Sequence, residues 1–355
     1  MKFFNIDLHI SVIEDVARIF RRLGHEVTSV NMSGHSWVFG RQPAPAFGPV
    51  TRETWQNVSA DQFFEACKNQ LADFDGFIVT YPPALSQIYE RFNKPIILQI
   101  AIRYEYPYHN DPQKWQQFNA FIKRMHEKGL LYVAANCLYD CEYFECFTGI
   151  KPRYIQNFCS YPGVRYHPDL DTILQMECRT PEVIALCKQA DPAIQSVREL
   201  YKRYEYSDIV RHKAFIHIPY NCSIMSFFEH YTMCVPIFVP TPRFMIELHK
   251  AYGILRELTW NGVFGTSAKS IIDRVKVDLP DPNEFTNLDS LAAWIKYFDY
   301  FNFEHVTYFD SFNDLREKIH SCDFDRISQK MAIFNAARLY SIDMGWMKIL
   351  KEIHD

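Results

Sequence analysis

The chain alternates short apolar segments with segments of helical spacing over roughly its first 155 residues. Residues 2–6 are an apolar strand, and residues 12–23 place apolar side chains at positions 12, 16, 19, 20 and 23 before Gly24. Further strands are predicted at 26–30, 77–81, 95–100, 130–135 and 153–156, with helices at 60–71, 84–92, 115–128 and 138–147. Strands separated by helices of about 10–15 residues predict βαβ units and a parallel, doubly wound sheet.

The same order of elements resumes after a proline-containing linker near residues 160–167. Strands are predicted at 214–218 and 236–239, and helices at 194–204, 225–233, 244–252, 288–298, 312–321 and 324–353. We therefore predict an α/β fold of two Rossmann-like, doubly wound domains that face a cleft. The predicted domains are 1–160 and 161–325, with a C-terminal helix at 326–355 that crosses back to the first domain.

Charge and missing motifs exclude several function classes. Lys and Arg number 38 and Asp and Glu 42, so the formal net charge of −4 argues against nucleic acid as a partner. No apolar run approaches the 18 residues of a membrane helix, and Asp7 comes too early for a signal peptide, which favours a soluble, cytoplasmic protein without an integral membrane segment. The motifs GxGxxG, GxxxxGK[ST], HExxH and GxSxG do not occur, which argues against the usual dinucleotide oxidoreductases, P-loop NTPases, zincins and serine hydrolases.

No metal site is predicted. Three Asp-x-Asp triplets, at 73–75, 169–171 and 323–325, could hold a divalent cation but occur where surface or helix-capping aspartates are expected. Cys137, Cys141 and Cys146 are spaced as half a metal site, yet no CxxC pair exists. We expect reduced, structural cysteines, with a metal or redox role as the alternative.

The most informative segment is 215–243, FIHIPYNCSIMSFFEHYTMCVPIFVPTPR. A strand ends at Pro219, a polar loop leads into a helix with a single mid-helix acid, Glu229, and a further apolar strand follows. This segment resembles the nucleotide-binding element in the C-terminal domain of GT-B glycosyltransferases. The alternative is an ordinary amphipathic helix with an exposed or capped glutamate.

The resemblance implies a nucleotide-sugar site in the second domain. Glu229 would accept hydrogen bonds from the ribose hydroxyls, and the loop and helix start would meet the diphosphate through Tyr220, Asn221, Ser223 and Ser226. Arg243, after the following strand, would reach the diphosphate or the base; Arg211 and Lys213 are weaker candidates. Many retaining members carry an acid eight positions before the ribose glutamate, where this chain has Asn221, so the resemblance favours inversion.

The first domain carries the acceptor side of the resemblance. Asp7 and His9 follow the first strand, at the carboxyl end where open α/β sheets bind ligands. Some inverting GT-B enzymes place a general-base histidine in this loop, so His9 and Asp7 are the predicted catalytic residues, with Asp140 or Glu105 as other possible partners of His9. The alternative for His9 is a helix cap or a filler of the cleft.

Polar and aromatic residues follow two more predicted strands. His35, Ser36 and Trp37 form one group, and Arg103 and Glu105, beside two tyrosines, form another. Aromatic rings stack on sugar faces, so these five residues are predicted to contact the acceptor or sugar.

We therefore predict that the protein is a hexosyl- or pentosyltransferase that moves a sugar from a nucleoside-diphosphate sugar to a hydroxyl of a glycan or other acceptor. We expect it to be inverting and metal-independent, with no obligatory cofactor, and to favour a UDP-sugar, with a GDP-sugar possible. The alternatives are a sugar-nucleotide epimerase or hydrolase on the same fold, and a non-enzymatic two-domain ligand-binding protein.

Overall fold

The computed structural model describes residues 1–176, 178–284 and 286–355. The chain forms two compact units. Unit 1 contains Met1–Asn157, Ile271–Asp278 and Ser341–Asp355, and unit 2 contains Phe158–Ser270 and Leu279–Tyr340. The predicted domain boundaries lie after residues 160 and 325, whereas the chain passes from one unit to the other after residues 157 and 340. In addition, segment 271–278 belongs to unit 1, although it lies within the predicted second domain.

Within the described residues, unit 1 is built on a parallel sheet of six strands. The strands are β1 Lys2–Asp7, β2 Glu26–Asn31, β3 Gly76–Val79, β4 Ile96–Ile100, β5 Leu131–Ala135 and β6 Arg153–Tyr154. Their order is β2-β1-β3-β4-β5-β6, so the strand order reverses between β1 and β3. The helices are α1 Ile10–Arg22, α2 Ala60–Cys67, α3 Pro112–Glu127 and α4 Leu138–Thr148, with 3-10 helices at Ser36–Phe39, Trp55–Asn57, Pro83–Phe92 and Tyr108–Asn110.

Unit 2 is built on a second parallel sheet, with five strands among the described residues. They are β7 Leu170–Gln175, β8 Ile194–Ser196, β9 His212–Ile216, β10 Ile237–Pro240 and β11 Thr307–Phe309, in the order β11-β10-β9-β7-β8. The helices are α5 Pro181–Ala190, α6 Val197–Leu200, α7 Tyr206–Ile209, α8 Met225–Thr232, α9 Pro242–Tyr252, α10 Trp260–Phe264, α11 Leu288–Trp294 and α12 Phe312–Ser321, with 3-10 helices at Ile295–Tyr297 and Asp299–Phe301. Helix α13, Phe324–His354, belongs to unit 2 up to Tyr340 and to unit 1 from Ser341 onward.

The two parallel sheets confirm the predicted α/β fold class. The strands β3 and β4 are buried along their whole length, as the apolar runs there predict. Helix α1 buries the stripe that contains Val12, Val16 and Phe20 and exposes Arg21 and Arg22. None of the described helices is long and apolar enough to cross a membrane.

Three local predictions were wrong. Residues 194–204 are not one helix, because Ile194 and Ser196 are buried alternately in β8 and only four residues of α6 follow. The strands β7 and β11 were missed: β7 is buried only over its last three residues, and β11 is three residues long. The helix predicted at 84–92 is a 3-10 helix that starts at Pro83.

Gly76 is required by the close approach of neighbouring strands. A Cβ at this position would lie 2.7 Å from the carbonyl oxygen of Pro95 and 3.2 Å from the ring of Phe3. The carbonyl belongs to the backbone that enters β4, so it cannot move aside as a side chain could. We expect Gly76→Ala to lower the free energy of unfolding by about 1–3 kcal/mol, the range for overpacked cores. Urea denaturation measures this, and a loss below about 0.5 kcal/mol would contradict the packing argument.

Candidate functional site

Asp7 joins two strands where the order of the unit 1 sheet reverses. It is the last residue of β1, it is buried, and its carboxylate accepts hydrogen bonds from the Thr80 hydroxyl and from the backbone N–H of Tyr81 at 3.0 Å, just beyond β3. The same carboxylate accepts the backbone N–H of His9 at 2.6 Å. Burial raises the pKa of Asp7 to about 7, although these three hydrogen bonds act to lower it. The reversal point is where open α/β sheets bind ligands.

His9 stands directly before α1 at this edge of the sheet. Its extended backbone starts the helix, but its side chain makes no capping hydrogen bond. The ring nitrogen Nδ1 is buried and has no hydrogen-bond partner on another described residue. Burial, with the nearby charge of His35, lowers the pKa of His9 to about 4. The imidazole is therefore neutral at physiological pH and has a nitrogen that can accept a proton.

Asp7 is not the partner of the His9 ring. The contact between the two residues runs to the backbone N–H of His9. Of the other proposed partners, Asp140 lies 3.5 Å from Nε of Arg103, and Glu105 accepts the hydroxyl of Tyr143 at 2.7 Å. Asp7 therefore acts on His9 by fixing the loop that carries it.

A row of aromatic rings leads away from His9. The His9 ring lies 5.7 Å from that of Tyr81, Tyr81 lies 6.1 Å from Tyr106, and Tyr106 lies 5.9 Å from His109, all between centroids. The planes of Tyr106 and His109 differ by 7°. Trp55 lies 6.3 Å from Tyr106 and flanks the row. Aromatic faces of this kind bind the apolar face of a sugar ring.

The predicted residues after β2 have different environments. His35 is exposed and lies close enough to His9 to affect its pKa. Trp37 is 51% exposed, and its indole is therefore accessible to solvent. Ser36 is buried, and its hydroxyl donates to the backbone carbonyl of Ser33 at 2.8 Å, so that hydroxyl holds the loop together.

Arg103 and Glu105 lie inside unit 1, whereas the sequence analysis predicted that they contact a ligand. Both are buried. The Arg103 guanidinium lies 5.0 Å from the ring centroid of Tyr139 and pairs with Asp140, while Glu105 accepts from Tyr143. Both residues follow β4 closely in the sequence, which suggested that they line a loop at the edge of the sheet. In the structure, residues 103–105 are buried inside unit 1.

In unit 2 the strand order reverses between β7 and β9, and the guanidinium of Arg179 lies by the loops that follow these two strands. Arg179 follows β7, and its guanidinium carbon lies 5.0 Å from the ring centroid of Tyr220, in the loop after β9. Burial raises the pKa of Tyr220 and Glu257 adds to this, whereas the charges of Arg179 and Arg198 lower it. Glu257 also pairs with Arg179 at 3.0 Å. A guanidinium has five N–H donors, so this pair leaves donors for an anion.

Glu229 is held inside unit 2 by tyrosines. It lies on α8, is 8% exposed, and accepts hydrogen bonds from the hydroxyls of Tyr161 and Tyr206. Burial raises the pKa of both tyrosines, so their hydroxyls stay protonated and donate. The two tyrosine hydroxyls therefore fix the orientation of this carboxylate.

The loop before α8 leaves the start of that helix without a side-chain cap. Its N-cap residue is Ile224, and Ser223 and Ser226 on either side are partly buried. The side chain of Asn221 accepts the backbone N–H of Cys222 at 2.8 Å, which stabilises the turn. The first N–H groups of α8 therefore have no side-chain acceptor at the cap position.

The other predicted cations are engaged by acids. Arg243 is exposed in the first turn of α9 and pairs with Glu247 at 2.8 Å and Asp310 at 3.4 Å. Arg211 and Lys213 lie at the amino end of β9, where they pair with the aspartates of one Asp-x-Asp triplet, Asp169 and Asp171 respectively. Asp323, in another triplet, accepts the backbone N–H of Arg326 at 2.9 Å as a helix cap.

Arg179 was not singled out from sequence, and of the aromatic row only Tyr106 stood in a predicted group, as one of the two tyrosines beside Arg103 and Glu105. Arg179 follows the apolar run Ile173, Leu174 and Met176, so recognition of β7 as a strand would have placed it at a carboxyl end. Tyr81 is the last residue of the predicted strand 77–81, so it too stands at a carboxyl end. The cysteines at 137, 141 and 146 are buried at the start of and within α4.

Comparisons with known proteins return remote likenesses in the solved structures alone. No protein-family model and no curated protein matches the sequence. The glycosyltransferase SnogD from Streptomyces nogalater aligns with 10% identity and a TM-score of 0.42, over 100% of this chain and 99% of that chain. A mutant of S. aureus TarM, in complex with Fondaparinux, alpha-GlcNAc-glycerol and UDP, aligns with 10% identity and a TM-score of 0.37, over 82% of this chain and 58% of that chain.

Proposed function

We propose that this protein is a glycosyltransferase that moves a sugar from a nucleoside-diphosphate donor to an acceptor hydroxyl, with inversion and without an obligatory metal. The observation that carries the proposal is the neutral His9 imidazole, with Nδ1 unbonded to other described residues, beside a row of aromatic rings at the reversal point of the unit 1 sheet. A base next to a sugar-binding face is what deprotonation of a sugar hydroxyl requires.

Unit 1 is the proposed acceptor side. Tyr81 and Tyr106 would bind the acceptor ring, and His9 would accept the proton of its hydroxyl as that oxygen attacks the anomeric carbon of the donor. The bond from this carbon to the nucleoside diphosphate breaks, and the diphosphate leaves with the bonding electrons. Because Asp7 fixes the loop rather than the ring, its contribution is positioning.

Unit 2 is the proposed donor side. Arg179 and Arg198 would offset the charge of the diphosphate, together with the uncapped first turn of α8 and the hydroxyls of Ser223 and Ser226. Glu229, whose orientation is preset by two tyrosines, is the proposed acceptor of the ribose hydroxyls. A UDP-sugar is the favoured donor, since UDP is the commonest donor nucleotide among the glycosyltransferases that segment 215–243 resembles.

Nucleotide binding tests the donor side. We expect one of UDP, GDP, ADP, CDP or dTDP to raise the melting temperature at millimolar concentration, because a ligand that binds the folded state alone stabilises it. No response to any of the five would count against the whole proposal.

Two arginine variants separate the candidate phosphate ligands. Arg179→Gln should weaken the nucleotide that binds best by roughly 10–100-fold, the scale of hydrogen bonds to a charged group. Arg243→Gln is the matched control, because its guanidinium is exposed and already paired with two acids, and it should change affinity less than threefold. Titration calorimetry measures the affinity of both variants. A larger loss of affinity in Arg243→Gln than in Arg179→Gln would indicate that Arg243, and not Arg179, binds the diphosphate.

A further inference from the structure

The long C-terminal helix α13 carries an apolar stripe on its solvent-facing side. Ile333 and Tyr340 are 73% and 70% exposed, and Met344 and Met347 are 46% and 41% exposed. Their spacing of 7, 4 and 3 residues places all four on one helical face, over roughly 20 Å of helix. Exposed apolar side chains in such a contiguous set mark an interaction surface more often than scattered ones do.

Basic residues stand at both ends of this stripe. At about 100° per residue, Arg326 and Lys330 lie on the same face one to two turns before Ile333, and Lys348 and Lys351 lie on it at the other end. All four are exposed, and none forms an ion pair with a described residue.

The acidic residues of the helix lie beside the stripe or farther round the helix. On the same geometry Asp325 and Asp343 stand about 70° from the centre of the stripe, as far as Lys330 and Lys348 on its other side, and Glu352 stands farther away. Asp343 pairs with Arg22, and Glu352 pairs with Arg153 at 2.5 Å. Because Arg22 pairs with Asp343, the four exposed cations beside the stripe outnumber the unpaired acids of α13 beside it, although the whole chain has a net charge of −4.

We propose that this face of α13, from Arg326 to Lys351, binds an anionic lipid surface. Amphipathic helices with lysine and arginine beside an apolar face lie in the interface of such membranes, and a tyrosine ring is suited to that depth. The site is separate from the proposed donor and acceptor residues, so it does not depend on the proposed transferase activity.

A second copy of the chain is a poorer occupant of the face. Pairing two of these helices, parallel or antiparallel, would bring the cations at one end of the stripe against cations of the partner. An anionic surface satisfies both basic ends at once.

Vesicle flotation with the full chain tests the proposal. We expect the protein to float with vesicles of phosphatidylcholine containing about 30% phosphatidylserine, and to stay in solution with phosphatidylcholine alone. Raising NaCl from about 0.05 to 0.5 M should reduce the bound fraction severalfold, because exposed charges are screened. Equal binding to both vesicles, or to neither, would overturn the proposal.

Three double variants locate the site. Lys348→Gln with Lys351→Gln should weaken binding by roughly 25-fold, about fivefold for each cation near the surface. Ile333→Ser with Tyr340→Ser should abolish flotation, because it removes the two most exposed apolar side chains of the stripe. The melting temperature should be unchanged, because both side chains are exposed in the folded protein. Lys202→Gln with Lys250→Gln removes the same charge from exposed positions elsewhere and should have little effect.

Two outcomes would contradict the location. An equal loss in the Lys202/Lys250 control would show that binding follows overall charge and not this face. Sedimentation that reveals a dimer dispersed by the Ile333/Tyr340 variant, without vesicle binding by the original chain, would assign the stripe to self-association.

Discussion

Replacement of His9 by alanine is expected to lower turnover of the proposed sugar transfer by about 10²–10⁴-fold, the usual contribution of a general base. Nucleotide affinity should change little, because His9 belongs to unit 1 and the proposed donor residues belong to unit 2. The assay uses the sugar donor of whichever nucleotide stabilises the protein most, and it follows nucleoside diphosphate release. A His9→Ala protein with near-normal turnover would remove the catalytic assignment.

The effect of His9 can be separated from a folding defect. His126→Ala is the matched control, because this histidine contacts the carbonyl of Leu131 at the opposite, amino end of a strand. Added imidazole should restore part of the activity of His9→Ala, since the missing group is a proton acceptor, and should not affect the control. Burial holds the pKa of His9 at about 4, so kcat/KM should fall on the acid side only below about pH 5. Retention of configuration in the product, read by NMR, would also exclude the single-displacement role of His9.

The stability of the protein should depend on pH through Asp7. Burial raises the pKa of this carboxyl to about 7 in the folded chain, above the ordinary value of 3.8. A group with a raised folded-state pKa contributes full stability below its unfolded pKa and loses it as pH rises through the folded pKa. We therefore expect the Asp7 contribution to decline between pH 4 and pH 7, by about 2.5 kcal/mol between pH 5 and pH 7.5.

Asp7→Asn isolates the pH-dependent contribution of Asp7 to stability, because asparagine has the same size and does not titrate in this range. The difference in unfolding free energy between the original chain and the variant should fall by that amount from pH 5 to pH 7.5 and then level off. Urea denaturation at five pH values, followed by tryptophan fluorescence and circular dichroism, measures it. A difference that is constant with pH would mean that the hydrogen bonds from Thr80, His9 and Tyr81 outweigh burial.

Periodicity alone predicted most of the architecture. Strands such as β3 and β4 are buried on both faces, so their sequences are continuous apolar runs between turn residues, and α1 exposes one face, so its apolar spacing is helical. Alternation of such segments restricts the sheets to parallel pairing with crossover helices. Where burial is partial or an element is very short, as in β7 and β11, the pattern disappears and the strand was missed.

The positions of Asp7 and His9 followed from sequence, because a residue just after a parallel strand must lie at the carboxyl edge of the sheet. Their environments did not follow. Two of the three hydrogen bonds to Asp7 come from Thr80 and Tyr81, more than 70 positions away, and these two exist because β1 and β3 are neighbours in the sheet. Strand order depends on long-range packing, which no local pattern records.

Long-range packing also explains the environments of the charged candidate residues. Sequence indicated that Arg243, Arg103 and Glu105 stand near strand ends, but whether a side chain meets solvent, an acid or the interior depends on what packs beside it. Arg243 is held by Glu247 and Asp310, Arg103 and Glu105 turn inward, and Arg179 contacts Tyr220 because β7 and β9 are adjacent. The amino-acid sequence thus determined the residue types and the edges of the sheets at which they stand. The tertiary structure decided which of them are paired, buried or left to bind a ligand, because pairing and burial are set by contacts between segments far apart in the chain.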